Sequence, residues 1–240
     1  RGFHALWWLQ YGYLQQGRVR DARRLMETIA ADSTRSEAQF IHSHLAQMRA
    51  HYAIETGEPA PVSASRSDQI DPAAAASQLF ADAFLAIRAQ KRAGAEKFLG
   101  DLRTHGAAGQ TASHQQGHYP PGAAATRVMV KQLEGLLLLD KGQAAEAVDA
   151  LKEAAELETR LPFDFGPPVP PKPAHELLGE ALLALGHAPQ AQAQFQLALQ
   201  RAPRRALSLL GLARSAAKAG DAETSREAYA ELRRIRGRAD

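Results

Sequence analysis

The 240-residue chain has no cysteine, which removes any disulfide framework and any thiolate chemistry while leaving the compartment open. No stretch approaches the roughly 20 apolar residues of a membrane-spanning helix, so no membrane span is expected. Runs of β-branched residues and the alternating pattern of strands are missing too. With 45% hydrophobic and 23% charged residues, a soluble, mostly helical protein large enough for a continuous core remains. Catalytic signatures are equally scarce. There is no Gly-x-Ser-x-Gly elbow, no phosphate-cradling glycine loop leading to Lys and Ser or Thr, and no His-Glu-x-x-His helix.

What the chain does contain is a repeat. Residues 172–205 and 206–239 align without a gap at a spacing of 34, setting Leu178 over Leu212, Gly186 over Gly220, Phe195 over Tyr229 and Ala198 over Leu232. A unit of that length is one helix hairpin that cannot bury its apolar face alone, so it stacks on its neighbours. Leu178-Gly179, Leu182, Ala191, Phe195, Ala198 and Pro203 resemble the tetratricopeptide pattern, with His175 where that pattern prefers Trp. Small residues suit close helix crossings, bulky ones fill the gap between units, and Pro ends the second helix. Residues 206–239 depart from the pattern at Ala216 and Ser225 but keep the breaking Gly220.

Anchoring on the turn residue extends the repeat. Gly17, Gly57, Gly142, Gly186 and Gly220 mark five turns, and Gln90 stands where a sixth glycine is expected. The resulting pairs span about residues 3–32, 36–66, 73–105, 122–160, 174–203 and 206–236. The expected fold is all-α, a right-handed superhelical solenoid of about six tetratricopeptide-like hairpins in a single unit. Lys131 and Glu134 replace apolar residues and are spaced to pair on one helix face.

Three segments interrupt the spacing. Residues 58–72 carry Pro59, Pro61 and Pro72 among serines and read as an exposed connection with at most a short helical turn. Residues 104–122, with His105, His114 and His118, read as the likeliest mobile loop. Residues 161–173 hold six of the thirteen prolines and should run extended. Their Phe163 and Phe165 either dock internally along the solenoid groove or cap the local core.

A broader resemblance rests on His4-Ala5-Leu6, Tyr13-Leu14-Gln15 and the Pro-rich passage into His175-Glu176-Leu177-Leu178-Gly179. These resemble the carboxyl half of an uncharacterised family of bacterial tetratricopeptide proteins. The resemblance implies further repeats upstream of Arg1, so that this chain is a fragment. It also implies an exported or periplasmic location in preference to a cytoplasmic one, and no known activity.

In tetratricopeptide solenoids the first helix of each pair lines the concave surface, and the resemblance implies which positions face inward. They are His4, Trp7, Tyr11 and Leu14, then His44, Gln47 and His51, then Phe80, Phe84 and Ile87. Later pairs supply Gln132 and Leu136, Glu176 and Glu180, and Leu210 and Arg214. Aromatic rings anchor peptides well because they bury much area with little loss of freedom. The expected function is therefore a non-catalytic scaffold, without a cofactor, that binds a peptide or partner protein in an aromatic and His-rich groove. Against it stands plain packing of Phe3, Trp7 and Trp8 on an upstream repeat.

Other readings compete. Residues 201–240 carry ten basic side chains against five acidic ones, which suits nucleic acid or an anionic surface. With Tyr229 the one interleaved aromatic, a solvated basic cap is the plainer account and nucleic acid is not expected. His114 and His118 have a zinc-compatible spacing if helical, but surrounding Gly and Pro favour a solvated loop. His44 and His51 lie two turns apart, about 10 Å. Glu176 and Glu180 share a helix face, as paired carboxylates or as a solvated acidic stripe. A last alternative makes the chain an accessory part of a metal-dependent or catalytic protein whose active residues lie upstream.

Overall fold

The computed structural model describes residues 2–109, 122–162 and 165–240. Among the described residues the chain is all-helical. The helices are α1 (Phe3–Gln15), α2 (Val19–Ser33), α3 (Gln39–Thr56), α4 (Pro72–Arg88), α5 (Arg92–Gly109), α6 (Gly122–Asp140), α7 (Ala144–Thr159), α8 (Ala174–Ala184), α9 (Ala188–Arg201), α10 (Ala206–Ala219) and α11 (Ala222–Ile235). Helices adjacent in sequence pack on one another throughout, and α1 with α3, α4 with α6 and α8 with α10 also meet. That is the neighbour-on-neighbour packing of a helical repeat. None of these helices is long and apolar enough to cross a membrane.

The turns share one geometry. Gly17, Gly142, Gly186 and Gly220 have φ of 73°, 76°, 86° and 83°, and the next residue's N–H returns to the carbonyl five positions back. These bonds are Arg18 to Tyr13, Gln143 to Leu138, His187 to Leu182 and Asp221 to Ala216, each 2.9 Å. This is the Schellman closure, which needs a left-handed residue just past the helix. Gln90 takes the same role with φ 57° and the Lys91 N–H on Ala86 at 2.8 Å.

The second unit departs from the expected pair over residues 36–66. It has one α-helix, because α3 ends at Gly57 and Pro59 and Pro61 deny the backbone donors a second helix needs. The chain then runs irregularly to a single 3-10 turn at Ser67–Gln69. Arg49 Nε donates to the Val62 carbonyl at 3.1 Å and Gln78 Nε2 to that of Ser65 at 3.1 Å, so this connection is fixed across α3 and α4.

Small residues sit where helices cross closely. The Phe195 ring of α9 lies between Gly179 of α8 and Gly211 of α10, and a Cβ on Gly211 would come within 2.2 Å of it. Burying such a ring contributes about 1.5–3 kcal/mol. Lys131 and Glu134 pair at 3.2 Å, and Lys131 also reaches Glu153 of α7 at 2.9 Å. The last pair returns to the first through several contacts. The Ala206 N–H donates to Gln15 Oε1 at 2.9 Å, and the Asp240 N–H to the Gly17 carbonyl at 3.2 Å.

Candidate functional site

The inward stripe of α1 and α3 comes together around Trp7. The rings of His4, His44 and His51 lie 6.0, 6.0 and 5.7 Å from it, and Tyr11 is 5.4 Å from His51. Leu14 packs on Met26 and Ile29 beneath them, and Gln47 is buried on α3. Phe80 and Phe84 do not join this group. They stack on each other at 6.4 Å within a separate core that includes Ile54, Leu99 and Leu133. Trp7 is only 2% exposed and His51 0%, so the stripe is a packed seam, where an open aromatic groove was expected.

The physical reason is that the chain fills its own inner face. Residues 165–173 form a strap across it, with Pro167, Pro170, Pro171 and Pro173 buried. Two inner side chains read the strap's backbone: His51 Nε2 lies 3.0 Å from the Pro168 carbonyl, and Gln132 Nε2 donates to that of Lys172 at 2.7 Å. The Trp7 indole N–H meets His51 Nδ1 at 3.3 Å, which selects the tautomer that donates from Nε2 to Pro168. The Gln47 carbonyl 2.9 Å from Nδ1 is already held by the α3 ladder. Burial keeps His51 neutral down to about 4, against the pull of the two carbonyls. Phe165 is 77% exposed, so it neither docks in the groove nor caps the core. Phe163 lies outside the described residues.

Beneath the strap lies a buried ion network. Arg205 clasps Glu176 with Nε and Nη2 at 2.7 and 2.9 Å, and its Nη1 reaches Tyr11 Oη at 2.8 Å and Glu55 at 2.5 Å. Lys172 of the strap pairs with Glu176 at 2.8 Å and Glu180 at 2.6 Å. Glu176 is thus fully buried, a correction to the solvated stripe that its spacing with Glu180 favoured. Burial alone would raise its carboxyl, but Arg205 and Lys172 overcome this and hold it at about 2. The same charges keep Arg205 protonated in spite of burial. The network ties α1, α3, α8 and α10 to the strap. Sequence reading missed Arg205, Glu55 and Lys172. The available signal was a lysine enclosed between prolines and an arginine just ahead of a helix start.

Aromatic surface remains beside the strap. Phe40 (55% exposed) packs edge-on against Phe3 at 5.6 Å, exposed His4 lies 5.0 Å from Trp8 (39% exposed), and Gly166 touches the Trp8 ring next to Phe165. Exposed aromatic side chains therefore lie on α3, on α1 and on the strap beside it. Next to them a cavity of about 290 Å³ opens between α1, the strap and the α9–α10 connection. Trp7, Tyr11, Gln15, Glu158, Arg201 and Arg204 are among its walls. Glu158 accepts the Ala174 N–H at 3.0 Å, capping α8, and burial pushes its carboxyl up to about 7.

The other candidates are placed as follows. No group of three or more His, Asp or Glu side chains converges among the described residues as metal ligands. His114 and His118 lie outside those residues. At the basic end Arg205 is buried, while Arg204 and Arg234 pair with Glu231 at 2.9 and 2.7 Å. No protein-family model matches the chain, and no curated protein is significantly similar to it.

Proposed function

We propose that the chain is a non-catalytic interaction module that docks a partner protein or peptide on the aromatic surface of Phe40, His4, Trp8 and Phe165. The carrying observation is the exposure of these aromatic side chains on neighbouring elements, with Phe165 77% exposed on a strap most of whose prolines are buried. Exposed apolar surface on rigid backbone is the physical signature of a docking site, since little freedom is lost when it is covered. We read the framework as a right-handed tetratricopeptide-type superhelix of about six hairpins. The repeated turn closure and the small residues around Phe195 support that reading. The basic end is the weaker rival, because three of its arginines already have acidic partners.

The test is affinity capture with the parent chain and with a Phe40→Ser, Trp8→Ser, Phe165→Ser variant, after circular dichroism shows that the two melt alike. Partners retained by the parent and lost by the variant are the expected result. An identical partner set would end the proposal. Retention on heparin that falls steeply with salt would favour the basic end instead.

A further inference from the structure

The strap fits the inner face incompletely. Pro167, Pro168, Pro170, Pro171 and Pro173 carry no N–H, so the strap offers that face carbonyls and few donors. Two donors from different helices read those carbonyls, His51 Nε2 at Pro168 and Gln132 Nε2 at Lys172, 3.0 and 2.7 Å away. The oxygen of the same Gln132 amide stays buried without a hydrogen-bond partner, which costs about 1–3 kcal/mol. The strap also leaves the cavity of about 290 Å³ where Pro167 and Pro168 share walls with Trp7 and Tyr11. Its Phe165 side chain, large and apolar, is 77% exposed and does not fill that space.

The two ends of the strap are held differently. Lys172 is anchored by Glu176 and Glu180 of α8. At the other end Gly166 has a φ of 113°, and a Cβ there would come within 2.7 Å of the Trp8 ring, so the close approach needs glycine. We infer that the strap is an autoinhibitory occupant of the inner face, and that a proline-rich segment of a partner binds the same face once the strap lifts. The strap itself shows the recognition chemistry. Proline rings lose little freedom on binding and suit aromatic walls, here Trp7 and Tyr11, while the segment's carbonyls accept from His51 and Gln132. The inference does not rest on partner docking at Phe40 and Phe165. It is read with a purified peptide, so either idea can fail while the other stands.

The probe is a fluorescently labelled synthetic peptide of residues 165–173, followed by anisotropy. Its control has every proline replaced by serine. Two loosened chains are compared with the parent. In one, residues 165–171 become a Gly/Ser segment of equal length, with Lys172 and Pro173 kept for α8. The other is Gly166→Val, which disturbs only the strap's entry beside Trp8. A short tether gives the strap an effective concentration of about 1 mM, so a peptide that binds the replaced chain at about 0.1 mM should bind the parent about tenfold more weakly. Gly166→Val should fall between them, and the serine control should bind none of the three. If circular dichroism shows the replaced chain unfolded, Gly166→Val alone decides. The proposal is overturned if no folded, loosened chain binds the peptide, if the parent binds it as tightly, or if the serine control binds as well. A dimer of the Gly166→Val chain in place of peptide binding would give the freed strap to a second copy and would also overturn it.

Discussion

His51 of α3 and Pro168 of the strap, 117 residues apart, are joined by a hydrogen bond of 3.0 Å from the imidazole Nε2 to the proline carbonyl. Nε2 donates this bond in the neutral tautomer that Trp7 selects, and protonation of Nδ1 would break the Trp7 contact at the other ring nitrogen. Burial lowers the folded-state pKa to about 4 from an ordinary 6.5. Between those values the unfolded chain binds the extra proton, so stability rises with pH across the window and is fully present above it. The difference corresponds to at most about 3 kcal/mol. His51→Gln keeps a donor near Pro168 but cannot titrate. Urea denaturation from pH 4 to 7 should show that this contribution to the slope has gone, with a loss of about 1 kcal/mol at pH 7 for the Trp7 contact. An unchanged slope would mean that His51 does not govern it.

Glu158 works in the opposite sense. Its carboxyl is raised from 4.5 to about 7 in the folded chain, chiefly by burial and against the Ala174 N–H and Arg201. The folded state therefore binds more protons between those values, and stability falls as pH rises through them. Glu158→Gln keeps an oxygen to cap α8 and removes the titration. Above pH 7 the variant should be more stable than the parent by up to about 3 kcal/mol, with no gain below pH 4.5. In the parent the His51 and Glu158 slopes oppose each other over much of the same range. Each single variant should unmask the other slope, which calorimetry at several pH values can resolve.

Arg205 holds the network together, and its loss leaves Glu176 and Glu55 buried without their shared cation. Arg205→Met should cost about 3–5 kcal/mol at neutral pH. Glu176 contributes stability above 4.5 that is lost as pH falls towards about 2. Without Arg205 that carboxyl titrates higher, so the penalty should shrink as the medium is acidified. A denaturation midpoint that drops equally at pH 7 and pH 4 would count against this account.

Much of the framework could be read from residue spacing, because turn and crossing positions obey local rules. Gln90 could be placed in a turn although it is not glycine, and its φ of 57° shows the same backbone demand. Gly179 is small because Phe195 lies against it, as the repeat pattern implies. The inner-face stripe could be read on α1 and α3, but its burial could not. Covering it depends on where a segment over 100 positions away crosses the fold, which no local period encodes. The same holds for Glu176, whose solvated reading was reasonable until Arg205 and Lys172 arrived from other elements. Gln15 illustrates the limit well, since nothing in its sequence neighbourhood announces an amide with one end engaged and the other vacant.

The turns offer a comparison in which side-chain packing is nearly constant. Gln90 holds a left-handed φ of 57° that every L-residue adopts at some cost, while Gly186 holds 86° with nothing within 4 Å of the place a Cβ would occupy. Left-handed backbone costs a residue with a Cβ about 1–2 kcal/mol, and glycine gives back about 0.5–1 kcal/mol through its greater freedom in the unfolded chain. Gln90→Gly should therefore stabilise the protein by about 0.5–1 kcal/mol, and Gly186→Ala should destabilise it by a similar or slightly larger amount. Because neither change removes a core contact, the two shifts report the turn backbone alone. They should appear in the guanidinium midpoint with the denaturant slope unchanged. If Gln90→Gly lowers the midpoint, the Gln90 side chain supplies a compensating contact and the Schellman closure is not what limits that turn.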